Sequence, residues 1–416
     1  MQIEMLKHED KERYLSFNKL VFDNERLEDE LEKLMYRNPF SKLEEDCFYI
    51  EEDGQIVSSL ILTKKNAKVG RTKFKVGEYD IVGTDPNYRG KGYCRELMEY
   101  SFEVMKKNDI FLCRLIGIPD FYQQFGFEYA VPAYFYNYVN IKKDKIKNCK
   151  RVYSVEKISE FSDEILTKMI EIFQNETSDN FGSESRSVDY FRYMIEEKTF
   201  EKGSIWYGVY NKDDLMGYAW IKTNENMIVI KEVVILDDIG SESLCSKTFE
   251  MISDKEMTDI GIRIPLNNSF AKFVYSKGAT FSCNNELFEG TWGEMYKILD
   301  LKKALIGILD ILNDRLNKSK YNDFEGCLSI VCGCDKATLT IENGKIRITE
   351  EDGIEIAISM GNFTSVYTGY KPMEYYDNDI SYPSNQIKLL FGTLFPKGHP
   401  YIWTLDINDS LNEIEY

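Results

Sequence analysis

Between a strand-like segment, 74–82, and a helix-like segment that begins at Tyr93, the chain turns through Asp85-Pro-Asn-Tyr-Arg-Gly90-Lys-Gly92. β-prone residues lead into this turn. After it, Cys94, Leu97, Met98, Ser101 and Met105 recur at helical spacing and define one buried face. Lys106 and Lys107 then sit where a helix C-terminus favours cations. A strand that passes through a glycine turn into a helix N-terminus is a unit of α/β architecture. It is also a ready anion site, because unpaired N–H groups leave the first turn and glycines let phosphate oxygens approach. The turn departs from Gly-x-x-x-x-Gly-Lys-Ser/Thr, since no hydroxyl follows Lys91 to hold magnesium. It also lacks three-glycine dinucleotide spacing. The expected phosphate is therefore not that of a hydrolysed nucleotide.

At 416 residues the chain is too long for one ordinary core, so two or three domains are expected. The first residues carry no apolar signal-peptide core, and no apolar run approaches the roughly 18 residues of a membrane-spanning helix. The nine cysteines form no secreted-type framework, so free thiols in a reducing cytoplasm are expected. Cys332-Gly-Cys334 is the one tight pair and reads as strand cysteines rather than a metal site. With only His8 and His399 present, a histidine triad or His-rich metal centre has little material. The net charge of −18 is unevenly spread: −1 over residues 1–150, −11 over 151–300 and −6 beyond. Nucleic acid is an unsuitable partner for such a surface, whereas cationic small molecules are drawn to it.

Residues 1–147 read as one mixed unit. Helical patterns at 12–20 and 25–36 precede a hairpin, 48–50 with 56–63, over Glu51-Glu-Asp-Gly54. After the glycine turn come a strand at 110–115, a helix at Tyr122 and an aromatic strand at 134–140. Lys142 to Arg151 reads as a basic connector. Residues 148–294 repeat the plan weakly: helices at 164–173 and 188–197, strands at 205–210, 216–223 and 227–236, and a helix at 244–252. Phe273-Val-Tyr275 echoes Phe121-Tyr122 at an offset of 153 residues. The counterpart of the glycine turn is Asp237-Asp-Ile-Gly-Ser-Glu242, whose carboxylates would repel a pyrophosphate. Residues 295–416 change character. A helix at 300–316 precedes short strands at 328–331, 338–342, 345–349 and 354–359, with Asn343-Gly344 as a hairpin turn, and a helix follows at 384–395.

The run Asn87-Tyr88-Arg89-Gly90-Lys91-Gly92 resembles the pyrophosphate loop of GNAT acetyltransferases, Gln/Arg-x-x-Gly-x-Gly/Ala, with a departure at its first position. About thirty residues on, Gly117-Ile-Pro-Asp-Phe-Tyr122-Gln-Gln-Phe125-Gly126-Phe127 resembles the tyrosine-bearing helix and Phe-Gly turn of the same fold. The order of parts resembles the "enhanced intracellular survival" acetyltransferases. These carry two tandem GNAT-type mixed-sheet domains, followed by a smaller sterol-carrier-like α+β domain. The resemblance implies an α/β (α+β) fold with domains at 1–147, 148–294 and 295–416.

It further implies acetyl transfer from acetyl-coenzyme A to a primary amine by direct attack, with no metal. The cofactor's pyrophosphate would lie on Arg89, Gly90, Lys91, Gly92 and Tyr93, and an N–H at Val82 or Thr84 would polarise the thioester. Tyr122 would protonate the leaving thiolate. The resembled family delivers its C-terminal carboxylate as base, here that of Tyr416, and Asp23 would face the substrate. The acceptor would be a cationic small molecule such as an aminoglycoside, a polyamine or a lysine-like amine, and relatives form rings of six. Two other readings stay open from the sequence. One is a tandem-GNAT aminoacyl transferase of the peptidoglycan-bridge type, against which the Arg89–Gly92 turn argues. The other is a lipid-binding protein, against which the intact first module argues.

Overall fold

The computed structural model describes residues 2–23, 27–118, 120–132, 138–199, 204–223, 228–253, 259–282 and 293–401. Two compact units emerge: residues 1–131 with 288–398, and residues 132–287 with 399–416.

The first stretch opens with β1 (Ile3–Met5), α1 (Lys11–Phe22), α2 (Leu27–Leu31) and α3 (Leu43–Asp46). A π-helical turn, Glu32–Tyr36, continues α2. Then come β2 (Cys47–Glu52), β3 (Gln55–Val69) and β4 (Thr72–Thr84), followed by α4 (Tyr93–Lys107), β5 (Leu112–Gly117) and β6 (Glu128–Tyr129). Strands β1 to β5 lie side by side in chain order. All pair antiparallel except β4 with β5, the parallel pair that needs α4 as its crossover. The helical spacing read from the sequence buries Leu97, Met98, Ser101 and Met105 of α4. They join Leu60, Leu62, Tyr79, Cys113 and Leu115 in one core. Burying side chains of this size contributes roughly 1.5–3 kcal/mol each, so this face fixes where α4 begins.

The second stretch contains β7 (Tyr138–Lys142), α5 (Lys143–Ile146), β8 (Ser154–Lys157), α6 (Asp163–Glu176), β9 (Ser183–Glu184) and α7 (Val188–Met194). It continues with β10 (Ser204–Asn211), β11 (Asp214–Thr223), β12 (Ile228–Ile235), α8 (Asp238–Ile252), β13 (Asp259–Ile262), α9 (Ser269–Ser276) and β14 (Thr280–Ser282). Its sheet runs β14-β7-β13-β12-β11-β10-β8, and β12–β13 is its parallel pair. Ser162, Ser187 and Asp237 cap α6, α7 and α8 through their side chains. A core built on stacked Trp206 and Trp220, 5.7 Å between ring centres, fills the unit.

The last stretch starts with β15 (Gly293–Ile298), then α10 (Leu301–Gly307) and α11 (Leu309–Asn317). Next come β16 (Gly326–Cys332), β17 (Asp335–Glu342), β18 (Lys345–Thr349) and β19 (Ile354–Ala357), and finally α12 (Met360–Thr368) and α13 (Asn385–Leu394). The four strands form a sheet in the order β18-β17-β16-β19. Asn343 and Gly344 both take positive φ in the β17–β18 hairpin, as its sequence predicts. Cys332 ends β16, and Cys334 lies exposed in the turn after it.

Two strands depart from the sequence reading. The strand expected to close the first module instead joins the second sheet, where β7 pairs with β13 and β14. Its place in the first sheet is taken by β15, inserted antiparallel between β5 and β6. The compact units divide at 131/132, 287/288 and 398/399, whereas the sequence reading places domains at 1–147, 148–294 and 295–416. An alternating aromatic segment satisfies either sheet equally, so local pattern does not choose its partner. The basic connector is likewise structured: Lys142 ends β7 and residues 143–146 form α5, with Ile146 buried.

Candidate functional site

The site is built where β4 and β5 part. Pairing of β3 with β4 shifts by one residue between Ile61 and Leu62, which leaves Asp80 as an extra residue in β4. Parallel pairing with β5 holds only from Val76 to Tyr79. Just before it ends, Arg114 of β5 donates to Glu78 of β4 at 2.9 Å, and Lys65 lies 3.1 Å from the same carboxylate oxygen. These three side chains are buried, and a buried carboxylate held by two cations is a firm cross-link between the strands. Past Tyr79, β4 runs on to Thr84 and β5 to Gly117 without pairing to each other, so backbone groups on those edges are available to a ligand.

Val82 and Thr84 both lie on this open stretch and are half-buried. The Thr84 hydroxyl is engaged with Ser58 at 2.9 Å, so its backbone is what it can offer a ligand. Between them Gly83 is approached closely by the end of α1. A Cβ there would lie 3.0 Å from the Phe22 ring and 3.2 Å from Val21. Asp23 follows at once. It ends α1 in the left-handed conformation (φ 49°, ψ 43°) and is exposed. It is thus one residue from a side chain that touches β4.

Beyond Thr84 the turn is pre-shaped by Asp85, whose side chain accepts the N–H of Asn87 at 2.7 Å. Arg89 is exposed, and its Nε donates to the Thr84 carbonyl at 3.4 Å. Gly90 and Gly92 have φ of +79° and +92°, where a side chain is strained. A Cβ at either would meet nothing within 4 Å, so the space above the turn is open. Gly92 begins α4 with no side-chain cap, and the N–H groups of the first helical turn point out unpaired. The positive helix end thus faces an open cradle, which fits a pyrophosphate.

One residue here escaped the sequence reading. Glu52, at the end of β2, accepts from Lys91 at 3.3 Å and from the Tyr93 hydroxyl. The Tyr93 hydrogen bond and Lys91 hold its carboxyl below the usual range. Lys91 also lies over the Tyr88 ring, 4.5 Å from its centre. The Lys91 charge is therefore shared with a carboxylate at the mouth of the cradle. Nothing in the hairpin Glu51-Glu-Asp-Gly54 signals this, because the pairing spans 39 residues.

Tyr122 begins a short 3-10 turn, Tyr122–Phe125, rather than a full helix. Its ring is walled by Phe121, Phe125 and Phe127 and is 6% exposed. Burial raises its pKa, and the Cys94 thiol raises it further, so the phenol stays protonated. Its hydroxyl makes no hydrogen bond among the described residues. Cys94 lies in the first turn of α4, so its electrostatic reach to Tyr122 ties the phenol to the helix start. Cys94 is itself pushed up to about 11 by burial, which keeps it a neutral thiol. Tyr416, named above as the source of a base, lies outside the described residues. The structure thus brings together Val82, Thr84, Arg89, Gly90, Lys91, Gly92, Tyr93 and Tyr122, with Asp23 near the same end of β4.

An uncapped glycine turn, a splayed strand pair and a buried phenol suit one chemistry: holding a phosphate-bearing acyl donor while a leaving group is protonated. The family model described as an acetyltransferase (GNAT) domain matches residues 2–130. This part of the chain is a GNAT acetyltransferase domain. Such domains use acetyl-coenzyme A, and the protein is an N-acetyltransferase. No curated protein matches the sequence.

Solved structures match nearly the whole chain in fold. A GCN5-related N-acetyltransferase from Anabaena variabilis is 16% identical with a TM-score of 0.75, covering 97% of this chain and 99% of its own. A probable N-acyltransferase from Enterococcus faecalis is 15% identical with a TM-score of 0.75, covering 96% and 98%. Eis1 from Mycobacterium abscessus is 13% identical with a TM-score of 0.69, covering 97% and 100%. Among the described residues, no helix is long and apolar enough to cross a membrane.

Proposed function

We propose that the GNAT domain transfers the acetyl group of acetyl-coenzyme A to a primary amine of a cationic small molecule by direct attack. The observation that supports it most is the open, uncapped start of α4 beside the splayed end of β4. Backbone N–H groups from Arg89 to Tyr93, with the Arg89 and Lys91 charges, hold the pyrophosphate. An N–H at Val82 or Thr84 donates to the thioester oxygen as it gains charge. The amine nitrogen bonds to the carbonyl carbon and the C–S bond breaks. Tyr122 gives its proton to the departing thiolate and regains one from solvent. The ammonium formed on nitrogen loses its proton to the Tyr416 carboxylate or to water. Asp23 attracts the acceptor's charge. We read residues 295–416 as sterol-carrier-like from their order of elements, the protein as cytoplasmic and the assembly as a ring of six.

A panel of amines with acetyl-coenzyme A, read by release of free thiol, tests this function. An aminoglycoside or polyamine is expected to turn over, and no thiol release above background with any amine would contradict it. The long-range pull on a polycation weakens as salt shortens the Debye length from about 10 Å at 0.1 M to about 3 Å at 1 M. The specificity constant for a polyamine should therefore fall with salt more steeply than that for a monoamine. A chain cut after Ser410 should lose turnover while keeping acetyl-coenzyme A affinity. Unchanged turnover would move the base to water or Asp23.

A further inference from the structure

The hydrogen bonds of β3 with β4 fix which backbone groups face the gap between β4 and β5. Asp85 donates its N–H to the Val57 carbonyl at 3.0 Å, continuing the register that pairs Thr84 with Ser58. In an antiparallel pair, residues bonded to each other alternate with residues whose N–H and C=O point away from the partner strand. No shift interrupts the register from Thr84–Ser58 to Val82–Leu60. Val82 and Thr84 therefore direct their N–H and C=O groups away from β3, into the gap. The Arg89 Nε contact with the Thr84 carbonyl agrees with this.

Side-chain alternation fixes what lies on the faces beside the gap. Val82 packs against the core that holds Leu97, Met98 and Met105 of α4. Gly83 thus turns to the opposite face, where α1 ends. A Cβ there would lie 3.0 and 3.5 Å from two carbons of the Phe22 ring, so the glycine lets that ring rest directly on the strand. Ile81 shares this face. Across the gap, Leu115 belongs to the α4-side core, and a Cβ on Gly117 would lie 2.3 Å from Met295 Sδ of the same core. Ile116, between them, projects to the α1 face and is half-buried. Phe22 is 41% exposed, so the core does not enclose its ring.

We infer that Phe22, seated on Gly83, sets the length of the acyl group the donor can carry and restricts it to short acyl groups such as acetyl. The inference rests on the acetyl-coenzyme A reading above. With the thioester oxygen on an N–H of Val82 or Thr84, the acyl carbon lies beside Gly83. A chain that continues onto the α1 face runs against the Phe22 ring. Ile81 and Ile116 keep that face apolar, so acyl carbon is accepted there and the ring limits how much. One methylene too many in an apolar pocket changes selectivity by roughly 10–200-fold, so a single ring suffices to discriminate.

Calorimetry of the full chain with acetyl-coenzyme A and butyryl-coenzyme A tests this without any acceptor. The unmodified protein should bind the butyryl donor weaker by about 10-fold or more. That readout needs no substitution and so does not depend on a variant folding. In Phe22→Ala the two donors should bind within about three-fold of each other, because the longer chain then buries its methylenes. Phe22→Leu should fall between. Leu20→Ala, at an exposed residue two positions earlier, should leave the discrimination as it is in the unmodified chain. Equal binding of both donors by the unmodified protein, or discrimination that survives Phe22→Ala, would overturn the inference while leaving the acetyl-coenzyme A reading intact. A Phe22→Ala enzyme with a raised KM for the amine and an unchanged donor ratio would also overturn it, making the ring a wall for the acceptor. Binding of neither donor would overturn the acetyl-coenzyme A reading itself, and this inference with it.

Discussion

Helices α4 and α8 begin in the same local setting. Each follows a strand with one extra residue, Asp80 in β4 and Lys231 in β12. Each of those strands pairs in parallel with the next one only short of that bulge. What differs is the turn. At α4 two glycines with positive φ leave open space and an uncapped helix end. At α8 the Asp237 carboxylate accepts the Gly240 N–H at 2.7 Å and the Tyr153 hydroxyl at 3.0 Å. A Cβ on Gly240 would lie 2.8 Å from Ile235, so this turn is filled. The second unit keeps the backbone device and supplies the anion itself. The tyrosines diverge as well: Tyr122 is 6% exposed inside an aromatic wall, while Tyr275 is 63% exposed on α9. A fold can therefore be duplicated without its chemistry, and a few turn residues decide which copy binds.

The largest break in this contrast should come from Gly92→Glu. It forces a side chain onto φ +92° and places a like charge where phosphate would sit. Acetyl-coenzyme A binding should vanish in calorimetry. Next is Tyr122→Phe, which keeps the packed ring and removes the proton. Turnover should fall by roughly 10²-fold, with little change in acetyl-coenzyme A affinity. A variant with near wild-type turnover would remove Tyr122 from the chemistry.

Asp237→Ala asks whether the second helix start is merely capped. Loss of the cap should cost about 1 kcal/mol in denaturant unfolding of the second unit, and no second acetyl-coenzyme A site should appear. The smallest effect belongs to Glu52→Gln. Releasing Lys91 and Tyr93 from a competing carboxylate should tighten acetyl-coenzyme A by less than about five-fold, as expected of an exposed pair. Weakened binding would show instead that Glu52 orients the cradle.

Much of this site was legible because its signals are local. The Gly90 and Gly92 spacing, the 3.6-residue pattern of α4 and the Phe-Gly turn after Tyr122 all act within a few residues. At the acidic turn at 237–242 the sequence shows only carboxylates that would repel a phosphate, and the structure adds that Asp237 caps α8. What escaped is non-local. The exchange of β7 and β15 between sheets depends on pairing partners far away in sequence. The bulges at Asp80 and Lys231 are properties of register, and Glu52 meets Lys91 and Tyr93 only in the fold. Helix α12 was missed because Met360-Gly-Asn-Phe-Thr-Ser-Val-Tyr-Thr368 combines glycine with β-branched residues, and packing overrides that weak propensity.

The central claim is that one helix start of the two holds acetyl-coenzyme A. Isothermal titration calorimetry of the full chain measures this directly. One site per chain, lost in Gly92→Glu and retained in Asp237→Ala, is the predicted result; two sites per chain, or binding that survives Gly92→Glu, would contradict it.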